Sequence, residues 1–221
     1  MTNKLTKKLA VFDIDGTILD SRERMARELV WTAEQLGVNT DYNIALANYN
    51  KWSKFMEVYN ITKSDFFNVK GQGKTWKESL ESKEARLYKD TLPCLEELSQ
   101  RGIILATLTK SKPEYTWEKI NYFGLEKYFG DRVAISDVKS SSKLEDAKKL
   151  VSQVGLENIS KAYFIGDQTG DVTIAPEIGQ EFSVNPNGIW INREYSGTPQ
   201  ELINFTQINS LEELSKIILS N

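Results

Sequence analysis

Residues 11–20 read VFDIDGTILD. The apolar run Leu9 to Phe12 stops abruptly on Asp13, with Asp15, Gly16 and Thr17 close behind. A buried strand that ends in acids delivers them to the carboxyl edge of a sheet, where open parallel sheets bind ligands. Side chains two apart on a strand share a side, so Asp13 and Asp15 are expected to face one region, subject to the bend that Gly16 permits. A surface turn accounts for the Asp-Gly pair alone. A calcium loop fails on spacing: counted from Asp13, Gly16 is fourth and Arg24 twelfth, whereas an EF-hand needs Gly at its sixth position and an acid at its twelfth.

Working outward, similar β-like runs recur at 8–15, 102–109, 132–136, 161–167 and 188–192. Helix-like stretches at 113–124 and 143–155 separate the second, third and fourth. Strands alternating with helices predict βαβ units and a mostly parallel sheet, and near-continuous apolar strands suit a sheet covered on both faces. Residues 21 to about 91 break the rhythm. Asp20 and Glu23 read as a capping box, opening a helix over 21–37 that ends at Gly37. Residues 43–60 and 75–88 also read as helical. The segment is rich in aromatics, among them Trp31, Trp52, Phe55, Phe66 and Trp76, which need something to pack against. It is read as an insert over the sheet, its aromatics mostly core.

A second acid pair follows the run at 161–167, in FIGDQTGDV: Asp167 at the strand end and Asp171 four residues on. If this strand neighbours the first, four carboxylates converge, and their repulsion calls for a cation. Oxygen-only ligands favour Mg²⁺ over zinc. Thr109 closes another strand with a hydroxyl donor, and Lys143 opens a helix near its positive end. Nucleophile, acid, cation site, hydroxyl and lysine together suit phosphoryl transfer, where positioning and charge neutralisation do most of the catalysis.

Composition narrows the chemistry further. The 221 residues contain no histidine, which removes Ser-His-Asp hydrolases, Cys-His proteases and histidine-ligated zinc. Acid–base work falls to carboxylates, Lys or Tyr. A formal charge of −3 implies no general nucleic-acid surface. The one cysteine, Cys94, excludes an internal disulfide framework, fits a reducing compartment and reads as a small buried hydrophobe. The basic N-terminus leads into an apolar run too short for a signal peptide, and no stretch approaches a membrane span. A cytoplasmic protein without membrane or nucleic-acid partners is therefore expected. The sequons at Asn60, Asn158 and Asn204 read as chance. GQGKT at 71–75 is not a Walker loop, because Asn68 stands where its first glycine belongs. It reads either as a plain loop or as one presenting Lys74 to substrate.

These motifs resemble the haloacid dehalogenase superfamily, in its phosphatase-like branch. DIDGT fits the first motif, Thr109 the second, Lys143 the third and GDQTGD the fourth, in order along nearly the whole chain. The resemblance implies an α/β fold: a Rossmann-like parallel core over 1–20 and 92–221, with an inserted α-helical cap over 21–91. The sequence departs from the family in Lys110, where Asn is frequent, and in Leu144 after the lysine, where Pro is frequent. Lys139 is a rival for the third motif.

By resemblance, Asp13 attacks phosphorus and Asp15 is the general acid–base. Mg²⁺ is held by Asp13, the Asp15 backbone carbonyl and Asp167, with support from Asp171. Thr109, Lys110 and Lys143 are placed at the phosphate, and the cap selects a small phosphorylated metabolite. A phosphosugar mutase and a non-catalytic binding protein on this fold are the alternatives.

Overall fold

The computed structural model describes residues 7–137, 142–155, 159–193 and 199–220. The chain forms two compact units, Met1–Leu19 with Leu87–Asn221, and Asp20–Arg86.

The first unit is built on six strands: β1 (Lys7–Phe12), β2 (Ile104–Lys110), β3 (Val133–Ser136), β4 (Ile159–Gly166), β5 (Asn185–Ile191) and β6 (Thr206–Ile208). All pair in parallel, in the order β3-β2-β1-β4-β5-β6. This is a Rossmann-like α/β sheet. The chain runs outward from β1 to β3, then returns to the other side of β1 as β4. The crevice of such a sheet opens at that reversal, beyond the ends of β1 and β4. The in-register pairing of Phe12 with Ile165 brings the segments that follow those two strands side by side.

Leu9, Val11, Ala106, Leu108, Ala162 and Phe164 form one buried face. Against it pack Ala147, Leu150 and Val151 of the helix Leu144–Val154, and Ile174 and Ile178 of the helix Ile174–Glu181. The intervening Ala10 and Phe12 are fully buried as well, so β1 is apolar on both sides. The C-terminal strand β6 and helix Leu211–Ser220 had no counterpart among the sequence expectations.

The second unit comprises the helices Arg22–Gln35, Tyr42–Ala47, Trp52–Val58, Lys63–Val69 and Trp76–Glu81. Its own core gathers Ala26, Leu29, Ala33, Phe55, Met56 and Phe66, with Trp52 and Tyr59 against them. The stretch 43–60, expected as one helix, breaks between Ala47 and Trp52. There the Asn48 side chain donates to the Ile44 carbonyl, which closes the first helix. The stretch 75–88 is helical only over Trp76–Glu81, opened by a true capping box of Thr75 and Glu78. The box expected from Asp20 and Glu23 does not form. Asp20 instead takes the Arg22 guanidinium at 2.9 and 2.8 Å, and Glu23 takes Arg27. Charge-assisted bidentate bonds outweigh a single backbone cap.

No helix among the described residues is long and apolar enough to cross a membrane.

Candidate active site

β1 ends one residue earlier than its acids suggest. The Asp13 amide still extends the ladder, donating to the Ile165 carbonyl at 2.8 Å. The chain then turns through Gly16, at φ 85°, and the amides of Thr17, Ile18 and Leu19 fold back on the Ile14 carbonyl. Gly16 is obligatory on two counts: its left-handed backbone, and the Asp167 carboxylate, which a Cβ there would overlap. The turn that follows Ile14 closes the motif, and Asp15 still lies near enough to Asp13 to help raise its pKa.

Asp13 is buried beneath Lys143, whose ammonium lies 2.5 Å from Asp13 Oδ1 and 2.6 Å from Asp171 Oδ1 and donates to the Leu108 carbonyl at 3.0 Å. Lys143 is the N-cap residue of the helix Leu144–Val154. Its rival Lys139 lies outside the described residues. Asp167 follows β4 directly. Its Oδ2 accepts from the Gln168 amide at 2.7 Å, while Oδ1 is buried without a hydrogen-bond partner. Trp190 Nε1 donates to the Asp167 carbonyl and steadies that turn. Asp171 has both oxygens engaged, Oδ1 by Lys143 and Oδ2 by the backbone amide of Gln168. A Cβ on Gly166 would collide with Asp171, so glycine there is what lets this acid close in.

Carboxylate oxygens of Asp13, Asp167 and Asp171 all lie within 4.8 Å of one another. Burial and the neighbouring acids outweigh the pull of Lys143 and push Asp13 up to about 7. The same two causes hold Asp167 well above the usual carboxylate range. Burial works against the Lys143 ammonium, yet Asp13 and Asp171 outweigh it and raise its pKa. Three acids share one lysine; without a cation, burial answers the repulsion by holding protons, and the hard oxygens fit a divalent cation that would replace them. The unpartnered Asp167 Oδ1 is a ready ligand atom.

Asp15 stands apart from this cluster. Its Oδ2 accepts from Lys119 at 2.5 Å, and its Oδ1 is buried with no hydrogen-bond partner. Lys119 lies on the helix Pro113–Tyr122 and is 1% exposed. Sequence reasoning passed over it, although Thr116, Lys119 and Ile120 form an inward-facing helical stripe in which a lysine is out of place. Thr109, next to last in β2, is buried, and Lys110 after it is exposed.

A second overlooked residue is Arg193, just beyond β5. It forks onto Asp90 at 2.8 and 3.2 Å, donates to the Thr17 carbonyl at 2.7 Å and lies over the Tyr88 ring. With Thr91 donating to the Ile18 carbonyl, it pins the turn that carries the acids. Lys74 belongs to the helical unit, where its ammonium bonds Glu84 and Ser82, each at 2.7 Å. Cys94 is buried, and burial pushes its thiol up to about 11, so it carries no thiolate chemistry.

Residues 10–184 match the family described as haloacid dehalogenase-like hydrolase. A glyceraldehyde 3-phosphate phosphatase of Methanocaldococcus jannaschii is 25% identical over 224 residues, covering 94% of this chain and 95% of its own. A protein that carries the name of a pyrophosphatase, PpaX, from Caldanaerobacter subterraneus is 23% identical over 174 residues, 76% of this chain and 77% of its own. Among solved structures, one titled as a predicted phosphatase from Clostridium acetobutylicum superposes with a TM-score of 0.71 at 24% identity, covering 98% of this chain and all of that one.

Proposed function

The chain belongs to the haloacid dehalogenase-like hydrolases, and from that premise we propose that it is a Mg²⁺-dependent phosphatase hydrolysing a small phosphomonoester through an aspartyl-phosphate. One observation carries this reading. The two acids of the first motif have separate surroundings: Asp13 in the carboxylate cluster with Lys143, and Asp15 outside it with Lys119. Covalent ester hydrolysis needs two such roles, a nucleophile within the cluster that neutralises its charge and a proton carrier whose carboxylate lies outside that cluster.

In the first half-reaction an Asp13 carboxylate oxygen attacks phosphorus, and Asp15 gives its proton to the departing alkoxide. In the second, Asp15 takes a proton from the attacking water, the acyl–phosphate bond breaks and Asp13 is regenerated. Lys143 neutralises Asp13 and binds a phosphate oxygen, and the Thr109 hydroxyl binds another. Asp13, Asp167 and the Asp15 backbone carbonyl would hold Mg²⁺, with Asp171 orienting Lys143. When bound, the ion supplies charge neutralisation at the transferring phosphoryl group. The helical unit serves as the cap that selects substrate, and the reaction is cytoplasmic.

Phosphate release is the first test. A nitrophenyl phosphate, glyceraldehyde 3-phosphate, other small phosphate esters and inorganic pyrophosphate form the panel, each assayed with Mg²⁺ and after chelation. Turnover is expected to vanish on chelation and to return with Mg²⁺. Rapid quench should trap phosphate on Asp13, and a single turnover in heavy-oxygen water should place the label in phosphate and not in the Asp13 peptide. Intact turnover without any phosphoenzyme would mean direct attack by water, and label on Asp13 would mean attack at its carboxyl carbon.

A further inference from the structure

We propose that Lys119 is a positioning residue for the proton carrier: it occupies Oδ2 of Asp15 and thereby reserves Oδ1 for the leaving-group oxygen and, later, for the attacking water. This rests on the phosphatase reading and adds a residue that none of the four motifs contains.

Lys119 is among the largest fully buried side chains in the molecule. Burying a lysine forfeits hydration and rotamer freedom, and an apolar residue on the same stripe as Thr116 and Ile120 would pack there without either loss. The ion pair with Asp15 offsets part of that loss, and it spans 104 residues of sequence. It also breaks the symmetry of the Asp15 carboxylate. An ammonium only donates, so the oxygen it holds must accept, and a proton on Asp15 must ride on the other oxygen. That other oxygen, Oδ1, is the one without a hydrogen-bond partner. Lys119 thus selects which oxygen carries the proton and fixes the carboxyl plane in which it moves.

The protons balance without Lys119 changing state. As the bond from phosphorus to the ester oxygen breaks, that oxygen keeps the bonding pair and takes the proton from Asp15 Oδ1. When water attacks the aspartyl-phosphate, its proton goes to the same Oδ1, and the enzyme returns to its starting form. Lys119 keeps all three of its protons throughout and touches no reacting atom.

A positioning role predicts a loss that depends on the leaving group. A nitrophenolate departs with little proton help, whereas an alkoxide needs it. Lys119→Met should lower kcat on an alkyl phosphate at least about tenfold and on nitrophenyl phosphate several-fold less, with KM within about twofold on both. Lys119→Arg, which keeps the donor, should recover most of the alkyl-phosphate rate. Equal losses on the two esters, or none, would overturn the inference while leaving the phosphatase reading intact. A wild-type protein inactive on every ester and on pyrophosphate would overturn that reading, and this inference with it. Circular dichroism and a thermal melt guard against a folding defect. Should Lys119→Met fail them, Lys119→Gln and Lys119→Arg carry the same leaving-group comparison, and equal losses there overturn the inference equally.

Discussion

At the ends of β1 and β4, one lysine is shared by two aspartates while a third acid stands beside them. In the helical unit several basic side chains instead each have an acidic partner. Arg24 pairs with Glu28, Arg27 with Glu23, and Lys74 with Glu84, around a cavity of about 340 Å³ that Trp31 and Tyr42 also line. The side chains are of the same kinds, but the strand-end cluster gathers three carboxyls around one lysine. The sequence singled out both lysines, Lys143 at the start of a helix and Lys74 in the GQGKT loop. Surroundings separate them: Lys143 sits in an acid surplus that a cation and a phosphate can complete, while Lys74 already has its counter-ion.

The strongest way to break this contrast is to remove the nucleophile. Asp13→Asn should abolish phosphoenzyme formation and lower turnover by about 10⁴-fold or more, measured by rapid quench and steady-state phosphate release. Lys143→Met should follow at roughly 10²- to 10³-fold in kcat/KM, because a buried cation aimed at the phosphate is lost while Asp13 and Asp171 remain as unpaired neighbours.

The acid surplus should also appear in stability. Without metal, the folded protein holds the Asp13 proton up to about 7, whereas an unfolded aspartate releases it near 3.8. Between those values the native state binds more protons than the unfolded one, so this contribution to stability falls as pH rises from about 4 to 7 and is flat above. Asp167 shifts in the same direction and adds to the slope. Urea midpoints of the chelated wild type should therefore drop across that window. Asp13→Asn should show a shallower drop, and Mg²⁺ should restore more stability at pH 8 than at pH 5. A flat profile in the chelated wild type would mean that the surplus is compensated.

The helical unit answers to packing instead. Phe55 is fully buried and stacks near Tyr59 at 5.0 Å between ring centroids. Phe55→Ala should destabilise by about 3–5 kcal/mol, read as a shift in urea midpoint. The smallest effect belongs to Lys74→Ala: less than about 1 kcal/mol in stability, because the lysine is exposed, and less than about twofold in kcat/KM on any phosphate ester. A larger kinetic loss confined to the physiological substrate would bring Lys74 back to the substrate.

Much of the core was legible because its signals are local. The apolar runs around Val11, Leu108 and Phe164 read as buried strands, and the acids after the first and third stand at strand ends. Boundaries in the helical unit were less legible. The break after Ala47 hangs on a side-chain bond from Asn48, and the failed cap at Asp20 on a guanidinium two residues away. Such choices are decided by competition between partners, which residue type alone does not rank.

The sequence by itself determined the chemistry on offer: a chain without histidine, two acids after one strand and two after another, a hydroxyl and a lysine at fixed order, and a glycine where the backbone must turn left-handed. Those follow from covalent neighbours and backbone geometry. Only the tertiary structure decided how the acids divide. Lys143 meets Asp13, while Lys119, 104 residues distant, meets Asp15. A long-range ion pair depends on which helix the sheet topology brings over which strand end. That placement is set by the packing of the whole core and leaves no mark in the residues on either side of Asp15.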